Sequence, residues 1–367
     1  MRSLLAVFWV GVTLIAAELF LRGLVFIETN DPLRRLAMRI DGNIPVTSEG
    51  WAALYFRQVR AGEVPFAKSA LFAFHPRRGW THAPNVSTWI DGYRYTTNGE
   101  GHRAQTEPNM TGKRARVLVL GDSQTFGEEV DDAFPWPTVL GKRRPDLDIV
   151  NLAVGGYGLD QMIIAYEEEV ERWNPDVIVL VAIPDDFYRT VLWFREAPKP
   201  IFVEGERGLT LVPPVGGVEA TLATLNGRWD VVLRGSVLFA TLLEAYEEVV
   251  LYPRLVAQSK RLSVALLTRW LADAKRRGIP AVLAYVGELH SADKDPGPFE
   301  DEWRQVCRAE ASAQLVCPDW RTLAPESAGE TRAGHYRRLG HELIATLIAQ
   351  ALERLEFGEA MPARSRS

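Results

Sequence analysis

The chain has 367 residues, 47% of them hydrophobic, enough to build a sizeable core in one large domain or two modest ones. Its net charge of −5 comes without any basic block, which argues against a nucleic acid partner. Two cysteines, Cys307 and Cys317, are too few for a disulfide framework and lack metal-ligand spacing. They either pair with each other in an oxidising compartment or stay as two buried thiols.

From the N-terminus, Leu4 to Ala17 is an apolar run broken only by Thr13, and it continues through Glu18-Leu-Phe-Leu-Arg22 to Ile27. A membrane-spanning helix needs about 20 mostly apolar residues. Glu18 and Arg22 stand one helical turn apart and can pair there. Cleavage near Ala16 or Ala17 would put Leu14 or Ile15 where a small residue is wanted, so residues 1–27 read as an uncleaved signal-anchor. Only Arg2 precedes the span, whereas Arg22, Arg34, Arg35 and Arg39 follow it. That count weighs against export, yet large domains translocate regardless of such charges. Residues 28–113 scatter aromatics among prolines and glycines, notably over Phe72–Pro84 and Trp89–Tyr95. They read as a short helical stem, then loops and a few strands wrapping a core domain.

The core domain is expected over 114–357. Val117–Leu120 reads as its first strand and Asp148–Leu152 as its second, ending in Ala153-Val-Gly-Gly-Tyr-Gly158. Leu159–Trp173 follows as an amphipathic helix with Leu159, Met162, Ile163, Tyr166 and Val170 on one face, stopped by Asn174-Pro175. Val177–Ile183 is a third, fully apolar strand. This alternation predicts an α/β fold of βαβ units, a parallel sheet covered on both faces. Residues 187–258 interrupt it as an insertion, with a hairpin over Lys199–Pro214 around Gly205–Gly208 and a helix over Ser236–Val256. The rhythm then resumes: a helix over Leu262–Arg277 ended by Gly278, a strand Ala281–Val286, a helix Phe299–Ala311 and a short strand Leu315–Cys317. Glu342–Leu355 closes the domain with Leu343, Ile344, Leu347, Ile348, Ala351 and Leu352 on one face. The polar tail 358–367 is expected to be disordered.

Gly121-Asp122-Ser123 sits where the first strand ends, the place where open α/β sheets bind ligands. Ser123 is therefore a candidate nucleophile, although a serine there also suits a helix N-cap. A serine nucleophile needs a base, and among six histidines His335 stands out, in Gly334-His-Tyr-Arg-Arg-Leu-Gly-His341 just before the last helix. These blocks resemble, in their order, those of the SGNH (GDSL-type) hydrolase family. Gly121-Asp122-Ser123 matches the first block and Asn151-Leu-Ala-Val-Gly-Gly156 the second. Pro184-Asp185-Asp186 stands at the third, and His335 with Gly340-His341 at the fifth. Thr96-Thr-Asn-Gly-Glu-Gly-His-Arg103 is similar to the segment that precedes the first block in membrane-anchored bacterial members.

The resemblance implies a flavodoxin-like three-layer α/β/α fold behind an N-terminal transmembrane helix, with the catalytic domain periplasmic. It implies that Ser123 attacks an ester carbonyl while His335 takes its proton and returns it to the leaving alcohol. The backbone amides of Ser123 and Gly156 would form the oxyanion hole, where a glycine lets the backbone approach closely; a plain tight turn is the simpler reading of Gly155-Gly156. Two positions depart from the family. Asp185 replaces the asparagine that donates to the oxyanion, and loss of one such donor costs on the order of 10²–10³ in rate. A protonated Asp185 donates, and burial beside Asp186 would favour that form. The acid that orients the histidine normally lies two or three residues before it, where this chain has Ala333 and Arg332; Glu330 and Glu326 are off that spacing. Some members work with a serine–histidine pair and a backbone carbonyl instead.

The function expected is serine-dependent acyl-ester hydrolysis on a small acyl ester or an acylated carbohydrate, such as O-acyl groups of envelope polysaccharide. The alternatives are an O-acyltransferase using the same serine and histidine, or a binding or assembly protein that keeps the fold with weakened chemistry. Phe72, Phe74, Trp80, Trp89, Trp193 and Phe194 are candidates to stack on sugars, with buried packing the simpler fate for most. No cofactor is implied: after Gly156-Tyr-Gly158, Gln161 replaces the third glycine of a dinucleotide fingerprint, and no metal-ligand spacing occurs.

Overall fold

In the computed structural model, which describes residues 2–28, 45–103, 114–206, 208–228, 231, 233–287, 297–322 and 334–355, five apolar runs form one all-parallel sheet. They are β1 (Ala115–Leu120), β2 (Leu147–Asn151), β3 (Val177–Ala182), β4 (Ala281–Tyr285) and β5 (Leu315–Val316). The spatial order is β2-β1-β3-β4-β5, with Val117 paired to Ile149 on one side and Val177 on the other. Every residue of β3 and β4 is buried, as is β1 from Arg116 onward. Consecutive burial in strands whose side chains alternate means that both faces are covered, which gives the three-layer α/β/α arrangement. In this order the chain reverses its direction of travel between β1 and β3, so a crevice opens at their carboxyl ends.

The helix Leu159–Trp173 has its expected bounds and buries Leu159, Met162, Ile163, Tyr166 and Val170. The last helix spans Arg338–Arg354, four residues earlier at its start than expected, and packs on the helix Trp136–Arg143. A larger difference lies in the stretch expected as two helices, Ser236–Val256 and Leu262–Arg277. It forms a helix Val237–Tyr246, a π-helical turn Glu247–Leu251 and a helix Tyr252–Arg276. The π turn comes just before Pro253, which has no N–H to continue the ordinary ladder. Cys307, on the helix Glu300–Ala309, is joined to Cys317 just after β5, with Cα atoms 6.2 Å apart, so the cysteines pair.

The chain divides into two compact units. The first comprises residues 1–65, 194–196 and 215–255; the second holds the sheet and comprises residues 66–193, 197–214 and 256–367. The stem expected over 28–113 and the insertion expected over 187–258 are thus each split between the two. In the first unit, Thr47 caps the helix Ser48–Ala61 by accepting from the Gly50 N–H at 3.1 Å. In the second, antiparallel pairs form between Phe72–His75 and Gly79–His82, Ser87–Ile90 and Tyr93–Thr96, and, as expected, Ile201–Gly205 and Gly208–Val212. Leu71, just before the first pair, and Tyr95 of the second pack with Phe126 and Ala153 beside the carboxyl ends of β1 and β2. The expected tail 358–367 lies outside the described residues.

Candidate active site

β1 delivers the chain to Gly121, where an added Cβ would stand 2.2 Å from Thr125 Oγ1, so only glycine lets the turn close. Asp122 is the N-cap of the helix Ser123–Phe126; its Oδ1 accepts the Gln124 N–H at 3.0 Å. The capping role that Ser123 was also suited to is therefore filled by its neighbour. The Ser123 hydroxyl donates to Asp122 Oδ2 at 3.3 Å and sits at the edge of the surface, with the residue 6% exposed.

His335 is brought to this point by Gln124. Its side-chain amide donates to Gly334 O at 2.9 Å and accepts from the Tyr336 N–H at 2.9 Å, gripping the backbone on either side of the histidine. The imidazole lies between two carboxylates: Nε2 is 3.3 Å from Glu128 Oε2 and Nδ1 is 3.6 Å from Glu129 Oε2. Both glutamates follow directly from the turn after Ser123, whose carbonyl accepts the N–H groups of Gly127 and Glu128 at 2.8 and 2.9 Å. Glu129 has φ +58°, a conformation rare outside glycine, asparagine and aspartate, and its N–H donates to the Tyr95 hydroxyl at 2.8 Å. Burial pushes that phenol up to about 12, so it stays protonated. Ser123 and His335 are not hydrogen-bonded to each other; the serine faces Asp122 and Nε2 faces Glu128.

The second block is tied to the first through Asn151, whose Oδ1 accepts from the Ala153 N–H at 3.1 Å and whose Nδ2 donates to Thr125 O at 3.4 Å. Gly156 adopts φ +76°. The buried Trp80 donates its indole N–H to Gly155 O at 3.0 Å, and in a trans peptide this turns the Gly156 N–H away from Trp80. The side chain of Glu128 presses against the same turn: a Cβ on Gly155 would lie 2.0 Å from Glu128 Oε1. Of the other aromatics weighed for stacking, Phe194 is buried, while Trp89 and Phe74 are exposed on the second unit.

At the third block the sequence expectation of a buried Asp185 is corrected: burial falls on Asp186. The Asp185 side chain is 57% exposed and lies 3.5 Å from Arg189. Asp186 is fully buried, accepts from the Ile183 N–H at 2.9 Å, and is pushed well above the carboxylate range by burial and by nearby Asp122. Arg189 compensates from beneath the serine. Its NH1 donates to Asp186 Oδ1 at 2.7 Å, Tyr157 O at 2.9 Å and Asp122 Oδ2 at 3.2 Å. The sequence signal for this cation was its place three and four residues after the two aspartates on one helical turn. His341 is buried against the Trp136 N–H, which donates to its Nδ1 at 3.3 Å; it is structural. Arg332, Ala333, Glu330 and Glu326 lie outside the described residues. Among the described residues no group of His, Cys, Asp or Glu could hold a metal.

Gly121–Ser123 follows β1, Asn151–Gly156 follows β2 and Pro184–Asp186 follows β3, all at carboxyl ends of a sheet ordered β2-β1-β3-β4-β5, with His335 clamped beside Ser123. The fold is a flavodoxin-like three-layer α/β/α fold. No protein-family model matches the chain and no curated protein does. Among solved structures, a lipolytic protein of the G-D-S-L family from Veillonella parvula is similar at 14% identity and TM-score 0.38, with 66% of this chain and 100% of that one covered. A lipase/acylhydrolase from Enterococcus faecalis is 13% identical at TM-score 0.37, covering 68% and 100%. A family two carbohydrate esterase from Cellvibrio japonicus is 14% identical at TM-score 0.36, covering 69% and 64%. Strand order and motif placement carry the fold assignment. Gln124, Glu128, Glu129 and Arg189 are the residues around Ser123 and His335 that sequence reading missed, and Trp80, weighed there for stacking on sugars, instead donates to Gly155 O.

Proposed function

We propose that the chain is a serine-dependent acyl-ester hydrolase in which Ser123 is the nucleophile and His335 the base. The observation that carries this is the Gln124 clamp, which holds the His335 backbone at the residue next to Ser123. In the working state the Ser123 hydroxyl turns from Asp122, Glu128 swings off Nε2, and Nε2 takes the serine proton as Oγ bonds to the ester carbon. The proton then passes to the leaving alcohol. Water attacks the acyl-serine with His335 again as base, releasing the acid and restoring the serine. Ser123 and Gly156 amides donate to the oxyanion, the latter turned by Trp80. Glu129, on the Nδ1 side, supplies the orienting carboxylate missing before His335. Asp185 stands where the oxyanion would have a side-chain donor, and its carboxylate opposes charge development there.

The apolar helix Arg2–Glu28, with a stretch of mean hydropathy 1.8 over Leu5–Gly23, supports tethering to a membrane. The Cys307–Cys317 disulfide supports an oxidising, extracytoplasmic setting for the catalytic unit. Acylated envelope carbohydrate is the substrate class that this location favours, with a sugar hydroxyl replacing water if the reaction is acyl transfer. The proximity of Glu128 to Nε2 favours a second reading, a binding or assembly protein with silenced chemistry. Turnover of an activated acetyl ester tests the two. The hydrolase reading predicts activity that Ser123→Ala abolishes and Asp185→Asn raises. No activity in wild type or in Asp185→Asn would favour the silenced reading.

A further inference from the structure

In the first unit, Glu18 is more than a stray charge in an apolar helix. Its Oε1 accepts from the Val237 N–H at 3.1 Å, and its Oε2 from the Leu238 N–H at 2.9 Å and the Ser236 hydroxyl at 2.7 Å. Arg22 pairs with Glu18 at 2.6 Å and donates to Gly235 O at 3.1 Å. These contacts satisfy first-turn amides that a helix leaves unpaired, so the helix Val237–Tyr246 starts directly on the helix Arg2–Glu28.

That second helix and the π turn after it present apolar residues outward. Phe239, Leu242, Tyr246 and Val249, spaced three, four and three residues apart, form one stripe and are 36, 56, 51 and 74% exposed. The charged Glu247 is instead turned inward, where it accepts from the Thr47 hydroxyl at 2.6 Å and pairs with Arg234. Glu244 lies on the side opposite Phe239, Leu242 and Tyr246 by the 3.6-residue repeat. A helix packed in water points its charges out and its apolar residues in. This one presents Phe, Leu, Tyr and Val outward beside a helix that itself exposes Leu5, Phe8, Trp9, Ile15, Leu19 and Phe20 at 60–65%.

We propose that residues 237–251 are a second membrane element: a helix seated at the lipid boundary where the C-terminal end of helix 2–28 leaves the bilayer, with its 239/242/246/249 stripe in the acyl chains. Continuity selects lipid as the occupant. The Glu18 and Arg22 bonds fix the start of the segment at the last turns of the span, so the two apolar surfaces adjoin. A tyrosine in the stripe suits the interfacial depth, and the opposed Glu244 suits a helix lying in the plane of the surface. The inference rests on reading helix 2–28 as membrane-spanning.

The test uses full-length protein with its disulfide intact, reconstituted in phosphatidylcholine vesicles with and without brominated acyl chains. Single cysteines at Ile15→Cys, Leu242→Cys, Val249→Cys and the exposed hairpin position Glu204→Cys carry an environment-sensitive fluorophore. Quenching at 242 and 249 comparable to that at 15, with none at 204, is the expected result. Quenching at 15 alone would overturn the second element and leave the span standing. Quenching at none of the four would overturn both. Protection at 242 that grows with protein concentration, without bromine quenching, would mean that a second copy covers the stripe.

Discussion

Glu129 holds its side chain at His335 from a backbone conformation that costs on the order of 1–3 kcal/mol and persists only where its surroundings impose it. The Tyr95 hydroxyl and the Ser123 carbonyl do so here, by fixing the N–H groups of Glu129 and Glu128. If Glu129 orients the base, Glu129→Gln lowers kcat for an activated ester on the order of 10²-fold with KM little changed. Unchanged kcat would mean that His335 needs no carboxylate. Ser123 and His335 were legible because their motifs flank recognisable elements. The orienting acid was sought just upstream of His335, in the family position, whereas the structure offers one from the turn after Ser123. No local pattern reveals that choice, because the two segments meet through Gln124, some two hundred positions away in the chain. Asp185 and Asp186 show the same limit: adjacency in sequence did not say which would be buried.

At the scale of elements, the strands β1, β3 and β4 were legible because two covered faces demand unbroken apolar runs. Helix ends were less so, since the last helix starts at Arg338, ahead of its apolar repeat, and the helix Tyr252–Arg276 runs through the polar residues Gln258, Ser259, Lys260 and Arg261 between the two expected helices. A buried ion pair was also invisible to pattern. Lys199 Nζ lies 2.5 Å from Asp160 Oδ2, both side chains fully buried, and joins the helix Leu159–Trp173 to the segment leading into the hairpin 201–212. Burial raises Asp160 and the Lys199 ammonium opposes that rise. Removing one partner strands the other in low dielectric. Lys199→Met is therefore expected to lose about 3–5 kcal/mol in urea denaturation, with part of the loss recovered in Asp160→Asn/Lys199→Met. Equal stability of Lys199→Met and wild type would mean that water reaches the pair.

The whole molecule carries a pH signature set by buried histidines. His82 is buried against Phe126, and His341 is buried behind Trp136; burial pushes both down to about 3. The unfolded chain binds a proton at each below about pH 6.5, whereas the folded chain does not until about 3. Stability therefore falls as pH drops through 6.5, by about 1.4 kcal/mol per pH unit for each histidine. Asp186, raised in the fold, works in the opposite sense above the usual carboxylate value, so the comparison to make is between slopes. His82→Gln should flatten stability against pH between 6.5 and 5 by about that amount, and a slope equal to wild type would contradict a neutral buried His82. The two-unit division was not legible, because residues 45–65 and 215–255 meet through contacts such as Thr47 with Glu247, far apart in the chain.

The central claim is that Ser123 can be made nucleophilic by His335. Covalent labelling of the purified full-length protein by a fluorophosphonate probe tests it most directly, because labelling needs an activated serine and no knowledge of the substrate. The account predicts a single adduct on Ser123 in wild type, faster in Glu128→Ala, where Nε2 is freed, and absent in Ser123→Ala and His335→Ala. Failure of both wild type and Glu128→Ala to label, with the fold intact, would contradict it.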